Sequence, residues 1–221
     1  MQQALERVEL SRLVCLSGAP VPEYAMEPLA DYLDMLCSWN KGMNLVGLHS
    51  WQDVLTRLVL DSFYLARFLE RLAMPAAPVC WDLGSGAGLP GIPLRMAWIR
   101  GAYYMVEARE KRALFISHML ARLRLPQTYV FRGRAEQFFQ EQPRAADCIV
   151  SRAFMPWRQL LDFTAEHVQP GGFVIILAND AAPEQPPVSW RVALQESYGA
   201  DGSMRYFWAL QYDGTQQAAV Q

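Results

Sequence analysis

The sequence has no uninterrupted apolar run of membrane-spanning length, although 52% of its 221 residues are hydrophobic and only 19% are charged. This composition also argues against intrinsic disorder. The N-terminal segment scatters Glu6, Arg7, Glu9 and Arg12 among apolar residues, so it lacks the separate basic and apolar regions of a secretory signal. We therefore expect a folded, soluble protein in the cytoplasm, with no membrane partner.

Cysteine is scarce. The four cysteines form no C-x-x-C pair and stand far apart, at Cys15, Cys37, Cys80 and Cys148. This spacing favours reduced, mostly buried thiols over a disulfide framework or a zinc site, so no metal is predicted. Internal repeats and low-complexity tracts are also absent from the sequence, and the length suits one large domain or one domain with an extension.

Charge is nearly balanced overall, at -2, but it is segregated along the chain. Between Arg95 and Arg134 nine basic residues stand against Glu107 and Glu110, which gives +7; the remaining 11 basic and 20 acidic residues sum to -9. A basic face of this kind is suited to nucleic-acid phosphates. The alternative is the solvated side of an ordinary helix.

The first 70 residues have apolar residues at helical spacing. The segments "PLADYLDMLCSW" and "WQDVLTRLVLDSFYLARFL" each predict a helix. Between them, "NKGMNLVGLHS" is predicted to be a loop because Gly42 and Gly47 break a helix. Ser50 is expected to cap the second helix, with Asp53 three positions later.

After residue 74 short apolar runs alternate with helical segments. Strands are predicted at 79–83, 102–108, 128–133, 147–153 and 172–178, and helices at 90–99, 109–125, 135–141 and 155–168. This alternation is typical of a mainly parallel sheet covered on both faces. "SWRVALQESYG" and "SMRYFWALQYD", separated by "ADG", predict an antiparallel pair at one edge. The expected fold is α/β, with a helical N-terminal extension (1–74) and a Rossmann-like core (75–221).

The segment "DLGSGAGLPGIPL", residues 82 to 94, follows the first predicted core strand. Gly84, Gly86 and Gly88 lie where that strand gives way to a helix, the position at which open α/β sheets bind cofactors. Glycine brings backbone N–H groups within reach of a ligand. Glu107, at the end of the second strand, is placed to accept hydrogen bonds from ribose hydroxyls.

These features suit a nicotinamide dinucleotide as well as S-adenosylmethionine. A pyrophosphate disfavours a neighbouring carboxylate, whereas the cationic sulfonium and ammonium groups of S-adenosylmethionine are compatible with Asp82, so the methyl donor fits better. The structural alternatives are that Asp82 caps the next helix and that Glu107 pairs with Arg109 or Lys111.

With these motifs the chain resembles the RsmG (GidB) family of bacterial 16S rRNA guanine-N7 methyltransferases, from about Trp39 to Leu177, some two thirds of its length. The motifs that carry the resemblance are, in order, "WNKGMNLVG", "VLDSF", "DLGSGAGLPGIPL", "VEAREKRALFISHML", "GRAEQF" and "SRAF". The resemblance implies a Rossmann-like fold that binds S-adenosylmethionine, a helical N-terminal extension and a substrate guanine in a functional loop of small-subunit rRNA.

The resemblance also implies roles for residues of the glycine loop. Gly84, Gly86 and Leu89 would line the cofactor, and Gly88 would shape the loop. Glu107 would hold the ribose.

Further roles follow from the later motifs of the resemblance. Ala135 and Glu136 of "GRAE" would border the adenine. Arg152 of "SRAF" would lie near the methionine portion of the cofactor and the incoming base, as a positioning group; a structural salt bridge is its alternative. Lys111 and Arg134 would contact RNA phosphates, with a solvated surface role as their alternative.

The sequence departs from the family pattern at two places. Members commonly carry a Lys-Gly pair after the fifth strand, where this chain has Asn179 and Asp180. The last strand ends as "ALQYDGTQQ", without a closing lysine. A possible RNA-facing cation is therefore missing, which leaves open a weaker RNA affinity, a changed docking surface or a loss of activity.

Guanine N7 has an exposed lone pair and loses no proton on methylation, so no general base is expected, and none of the three histidines is given a catalytic role. Alignment of the reactants can contribute about 7 to 11 kcal/mol. The expected partner is 16S rRNA or a small ribosomal subunit particle, bound by a monomer. The competing hypotheses are a methyltransferase for a small molecule or protein, a non-catalytic RNA- or ribosome-binding relative and, more distantly, a dinucleotide oxidoreductase.

Overall fold

The alternation of strands and helices expected after residue 74 is present in the computed structural model, which describes residues 6–200 and 202–214. The strands are β1 (Val79–Leu83), β2 (Ala102–Glu107), β3 (Thr128–Arg132), β4 (Ala146–Ser151), β5 (Val168–Ala178), β6 (Trp190–Ala200) and β7 (Ser203–Tyr212). The helices are α1 (Arg7–Ser17), α2 (Met26–Met43), α3 (Trp51–Val54), α4 (Asp61–Glu70), α5 (Gly91–Ala97), α6 (Glu110–Leu123), α7 (Ala135–Glu141) and α8 (Trp157–Thr164). Residues 1–5 of the predicted extension, Asp201 of the predicted turn and residues 215–217 of "ALQYDGTQQ" lie outside the described residues.

The strands form one seven-stranded sheet within the described residues, in the order β3-β2-β1-β4-β5-β7-β6. Strands β1 to β5 are parallel, and β7 runs antiparallel to both β5 and β6. This arrangement confirms the predicted Rossmann-like α/β fold with its antiparallel edge pair. Because the chain leaves β1 toward β2 on one side and later returns to β4 on the other, the carboxyl end of β1 lies at the switch point where such sheets bind ligands.

The helices before residue 75 bury their apolar faces in the same cluster as one face of the sheet. Leu33, Phe68, Tyr103 and Phe115 belong to this cluster. The Tyr32 hydroxyl of α2 donates a hydrogen bond to the carbonyl of Ala87 in the glycine loop, at 2.9 Å. The extension therefore supports that loop directly, while the division into units 1–74 and 75–221 stays a prediction.

Two expectations for the N-terminal helices are wrong. The predicted loop at 40–50 starts later, because α2 continues through Gly42 to Met43. The amide of Asn40 then fixes the loop, accepting from the N–H of Val46 and donating to the carbonyl of Leu48. The predicted continuous helix at 51–69 contains a π-helical turn at Leu55–Val59, between α3 and α4. Apolar spacing alone does not distinguish an α-turn from a π-turn.

Two other local predictions have different outcomes. Ser50 does cap α3: its hydroxyl accepts a hydrogen bond from the N–H of Asp53 at 3.0 Å. Strand β5 begins at Val168 rather than at 172, because Val168 pairs with Ala146 before an irregularity in the register. No helix in the described ranges is both long and apolar enough to cross a membrane.

Arg95, which belongs to the basic segment of the sequence, is not part of any basic face, because its side chain is fully buried. Its guanidinium donates hydrogen bonds of 2.7 to 3.3 Å to Thr128 Oγ1 and to the backbone carbonyls of Trp98, Ile99, Arg100, Gly101 and Pro126. Carbonyl dipoles at the end of α5 thus compensate the charge. Arg95 joins the end of α5 to the segments that lead into β2 and β3.

Asp82 is also buried, at 1% exposure, beneath the glycine loop. Its carboxylate lies beside the first residue of α5: a Cβ at Gly91 would stand 2.7 Å from Asp82 Oδ2. Burial raises the pKa of Asp82 to about 7. The alternative in which Asp82 caps the next helix is wrong, because α5 has no side-chain cap and neither carboxylate oxygen of Asp82 has a hydrogen-bond partner among the described residues.

We predict that Arg95→Met lowers the free energy of unfolding by about 3 to 5 kcal/mol, because several buried carbonyls lose their donor. Urea unfolding followed by tryptophan fluorescence measures this. The matched control is Arg124→Met at the exposed end of α6, which should change stability by no more than about 0.5 kcal/mol. A loss below about 1 kcal/mol at Arg95 would contradict a structural role.

We also predict that Asp82→Asn removes a pH dependence of stability. The folded chain retains a proton on Asp82 up to about pH 7, whereas the unfolded chain releases it near pH 4, so the stability that Asp82 contributes is present at low pH and falls between these values. Relative to wild type, the Asn variant should therefore gain up to about 4 kcal/mol from pH 4 to pH 8 in urea unfolding. Parallel pH profiles for the two proteins would refute this.

Candidate functional site

The glycine loop after β1 requires glycine at two positions for steric as well as conformational reasons. Gly84 and Gly88 have φ of +73° and +77°. A Cβ at Gly84 would lie 2.7 Å from the ring of Phe154, and one at Gly88 would lie 2.3 Å from the side chain of Ile92. The loop therefore packs its bare backbone closely against its neighbours at the carboxyl end of β1.

Glu107, the last residue of β2, fixes this loop through its carboxylate. Its Oε2 accepts a hydrogen bond from the N–H of Gly86 and its Oε1 accepts one from the N–H of Arg109, both at 2.8 Å. Within the described residues Glu107 makes no ion pair, so the alternative pairing with Arg109 or Lys111 is not formed. A carboxylate oxygen can accept more than one hydrogen bond, which leaves capacity for ribose hydroxyls.

A cavity of about 450 Å³, here called the loop cavity, opens beside Glu107. It is lined by Gly84, Val106, Glu107, Ala108, Arg109, Arg112, Gly133, Arg134, Ala135, Glu136, Ala153 and Phe154. Five residues predicted from the sequence thus lie together: Gly84, Glu107, Arg134, Ala135 and Glu136. The volume falls within the range of small-molecule sites, about 300 to 1,000 Å³.

The donor set of the loop cavity fits the adenosine part of S-adenosylmethionine. A carboxylate for a ribose diol, an aromatic ring at Phe154 and small residues at Gly84 and Ala135 form its walls. No group of three or more His, Cys, Asp or Glu residues that could hold a metal ion is found in the described part of the chain.

Four predicted cofactor residues from the end of β1 and the glycine loop do not line the loop cavity. Asp82, Gly88 and Leu89 are buried and do not line the loop cavity. Gly86 contributes its N–H to Glu107 rather than a surface of the cavity. These residues form the support of the loop.

A second cavity of about 360 Å³, here called the arginine cavity, adjoins the first, since Ala153 lines both. Its walls are Leu48, Arg57, Leu58, Asp61, Arg152, Ala153, Leu177, Ala178, Asn179, Tyr198 and Arg205. The predicted residue Arg152 therefore lies in the wall of the adjoining cavity and not in that of the loop cavity. Asn179, which stands where the family commonly has lysine, lies beside it.

An ionic cluster forms one wall of the arginine cavity. Asp61 Oδ2 accepts a hydrogen bond from Arg205 Nη1 and lies 3.5 Å from Arg152 Nη2, so the salt bridge considered for Arg152 exists. Both arginines also bind the π-helical turn: Arg152 donates to the carbonyl of Leu58 and Arg205 to that of Arg57, both at 2.7 Å. Desolvation raises the pKa of Asp61, and the charges of Arg152 and Arg205 oppose this shift.

Sequence reasoning assigned no individual role to Asp61, Arg205 or Arg112. For Asp61 a signal was present, because it is the one acidic residue in the apolar run "RLVLDSFYL" and a buried carboxylate requires a partner. The sequence around Arg205 carried no such signal, because an arginine in a predicted edge strand is ordinarily exposed to solvent.

The basic segment is divided between structural and exposed groups. Arg100, Arg122 and Arg132 form ion pairs, with Glu70, Asp31 and Glu110 respectively. Four basic residues near the loop cavity make no ion pair within residues 6–200 and 202–214: Arg109, Lys111, Arg112 and Arg134. Lys111 and Arg134 thus stay candidates for phosphate contacts.

Sequence comparison gives the family. Residues 25–188 match the family model described as rRNA small subunit methyltransferase G. The chain is 52% identical over 206 residues to the ribosomal RNA small subunit methyltransferase G of Nitratidesulfovibrio vulgaris strain DP4, covering 93% of this chain and 94% of the relative. It is 44% identical over 215 residues to that of Oleidesulfovibrio alaskensis, covering 93% of each.

Solved structures agree on the fold. An O-methyltransferase from Bacillus cereus in complex with SAH matches with a TM-score of 0.65 at 15% identity, covering 94% of this chain and 100% of that one. A putative methyltransferase from Escherichia coli, yhhF, matches with a TM-score of 0.52 at 12% identity, covering 69% and 84%. The sequence match over most of its length shows that the chain belongs to the rRNA small subunit methyltransferase G family.

Proposed function

We propose that the protein transfers the methyl group of S-adenosylmethionine to N7 of a guanine in 16S rRNA. The observation that carries this proposal is the loop cavity, with Glu107 at the switch point of the sheet, in a chain of this family. The names of the relatives support ribosomal RNA of the small subunit as the substrate. The guanine and its N7 atom come from the motif resemblance in the sequence.

The residues of the loop cavity hold the cofactor. When bound, S-adenosylmethionine supplies an electrophilic methyl group on a positively charged sulfur. Glu107 would accept hydrogen bonds from the ribose hydroxyls while it retains those from the N–H groups of Gly86 and Arg109. Ala135 and Glu136 would border the adenine. Ala153, which follows β4 and lines the same cavity, would contact the rest of the cofactor.

No residue of the site needs to remove a proton, because N7 attacks with a free lone pair. The protein instead aligns N7 with the methyl group, a contribution of about 7 to 11 kcal/mol when fully realised. Arg152, which lines the arginine cavity next to Ala153, is the proposed positioning residue. An unpaired or splayed guanine can reach such a site, whereas one stacked in an A-form helix cannot.

Electrostatics supports a nucleic-acid substrate. Arg109, Arg112 and Arg134 line the loop cavity, and Lys111 stands between the first two in the chain; these basic groups would neutralise backbone phosphates. We further propose that the protein acts as a monomer in the cytoplasm, on 16S rRNA or on a small-subunit particle.

The proposal is tested by incubating the protein with labelled S-adenosylmethionine and either unmodified small-subunit particles or free 16S rRNA, and then mapping the label. The expected result is label at N7 of one guanine. Label at another atom, in another molecule or nowhere would overturn the proposal. Comparison of the two substrates shows which one is used.

The RNA contact is tested by Arg134→Gln. Loss of one phosphate contact should weaken rRNA binding and reduce the slope of log K against log salt by about 0.7 to 0.9. Arg132→Gln is the matched control, two residues away and already paired with Glu110 at 2.7 Å. Equal slopes for Arg134→Gln and wild type would assign Arg134 to an ordinary solvated surface.

A further inference from the structure

The side chains that line the arginine cavity carry an excess of positive charge. Its ionic cluster joins two guanidinium groups to one carboxylate, so the cluster of Arg152, Arg205 and Asp61 has a net charge of +1 by this count. The side chains are 21%, 17% and 5% exposed respectively. The carboxylate is thus withdrawn behind the two cations, and the cavity presents mainly guanidinium groups.

Arg205 has donors in this wall that nothing in the described structure uses. Its Nη1 donates both to the carbonyl of Arg57 and to Asp61 Oδ2. Its Nε and Nη2 donate to no group among residues 6–200 and 202–214. These two atoms form the edge of a guanidinium that binds two oxygens of a phosphate or carboxylate side by side.

The support of Arg205 is rigid. It lies on β7, which pairs with β5 on one side and β6 on the other. Asp61 is the first residue of α4 and follows the π-helical turn. In that turn the carbonyl of Arg57 accepts a hydrogen bond from Arg205 Nη1, the same atom that donates to Asp61. A guanidinium fixed on one edge by a carboxylate and a carbonyl keeps its other edge oriented before a ligand arrives, which lowers the entropic cost of binding.

The location of this edge selects the ligand. Ala153 lines both the arginine cavity and the loop cavity, so a base bound beside Ala153 would bring its own sugar and phosphate close to the arginine cavity. The edge selects an anion with paired oxygens, and an RNA phosphodiester has this chemistry. The methionine carboxylate of the cofactor has it as well, and titration with S-adenosylhomocysteine distinguishes the two.

We propose that Arg205 binds the phosphate of the nucleotide that is methylated, with Asp61 holding its guanidinium in place. This inference rests on the proposed function for the presence of an RNA substrate, and it identifies a contact that neither the motifs nor the basic segment between Arg95 and Arg134 includes. Arg205 then supplies a cation on the strand next to β5, beside Asn179.

The test is equilibrium binding of the full chain to unmodified 16S rRNA at several salt concentrations. Arg205→Gln should weaken binding about tenfold and reduce the salt slope by about 0.7 to 0.9, as expected for one lost phosphate contact. Arg205→Lys retains the charge without the paired donors, so its slope should match that of wild type while its affinity is intermediate. Arg191→Gln on β6, an exposed residue that pairs with Asp213, is the matched control and should leave the slope unchanged.

Calorimetry with S-adenosylhomocysteine on the same variants separates a phosphate contact from a structural role. Arg205→Gln should bind this ligand as wild type does. An unchanged salt slope in Arg205→Gln would overturn the proposal, as would weakened rRNA binding only in parallel with lost S-adenosylhomocysteine binding.

The outcome also separates this inference from the proposed function. Label at guanine N7 by wild type, together with an unchanged slope for Arg205→Gln, would refute the phosphate site alone. A reduced slope with label at a different atom would support the phosphate site and refute the assigned methylation. If the wild-type chain did not bind 16S rRNA, both would be wrong.

Discussion

The candidate site depends on one carboxylate bound by two backbone N–H groups. Glu107 joins the N–H of Gly86, in the loop after β1, to that of Arg109, before α6. The carbonyl of Val106 adds a second connection, because it accepts hydrogen bonds from the N–H groups of Gly84 and Ser85. The end of β2 therefore determines where the glycine loop lies. Val106 and Glu107 keep the loop cavity open at the switch point of the sheet through these hydrogen bonds.

The two cavities divide the requirements of methyl transfer between different parts of the chain. The loop cavity is built from the ends of β1, β2 and β3 and offers a carboxylate and small residues, which suit a nucleoside. The arginine cavity is built from β4, β5, β7 and the π-helical turn and offers guanidinium groups, which suit a phosphate. Under the proposed function, Ala153, which lines both cavities, would bring the two ligands close together without requiring a titrating side chain, in agreement with a reaction that releases no proton from the base.

The sequence predicted the parallel core well because strand-helix alternation and glycine spacing are local signals. Strand β1 has the predicted bounds, and the acid at Glu107 stands where the loop needs it. The burial of Arg95 was not predictable in this way, because its partners are carbonyls supplied by segments that only the fold brings together. The same applies to Asp61 and Arg205, which are 144 residues apart in the chain. A π-helical turn also has the apolar spacing of an ordinary helix, so nothing in the sequence indicated that its carbonyls bind Arg152 and Arg205.

The most direct test of the account is calorimetric titration of the folded chain with S-adenosylhomocysteine, comparing wild type with Glu107→Gln. In the variant, the amide N–H₂ group would face a backbone N–H, and the negatively charged acceptor for the ribose would be lost. We therefore expect an affinity for S-adenosylhomocysteine at least about tenfold lower. Glu110→Gln, an exposed acid at the start of α6, should bind as wild type does. Equal affinities for wild type and Glu107→Gln would contradict the role of this carboxylate in holding the cofactor.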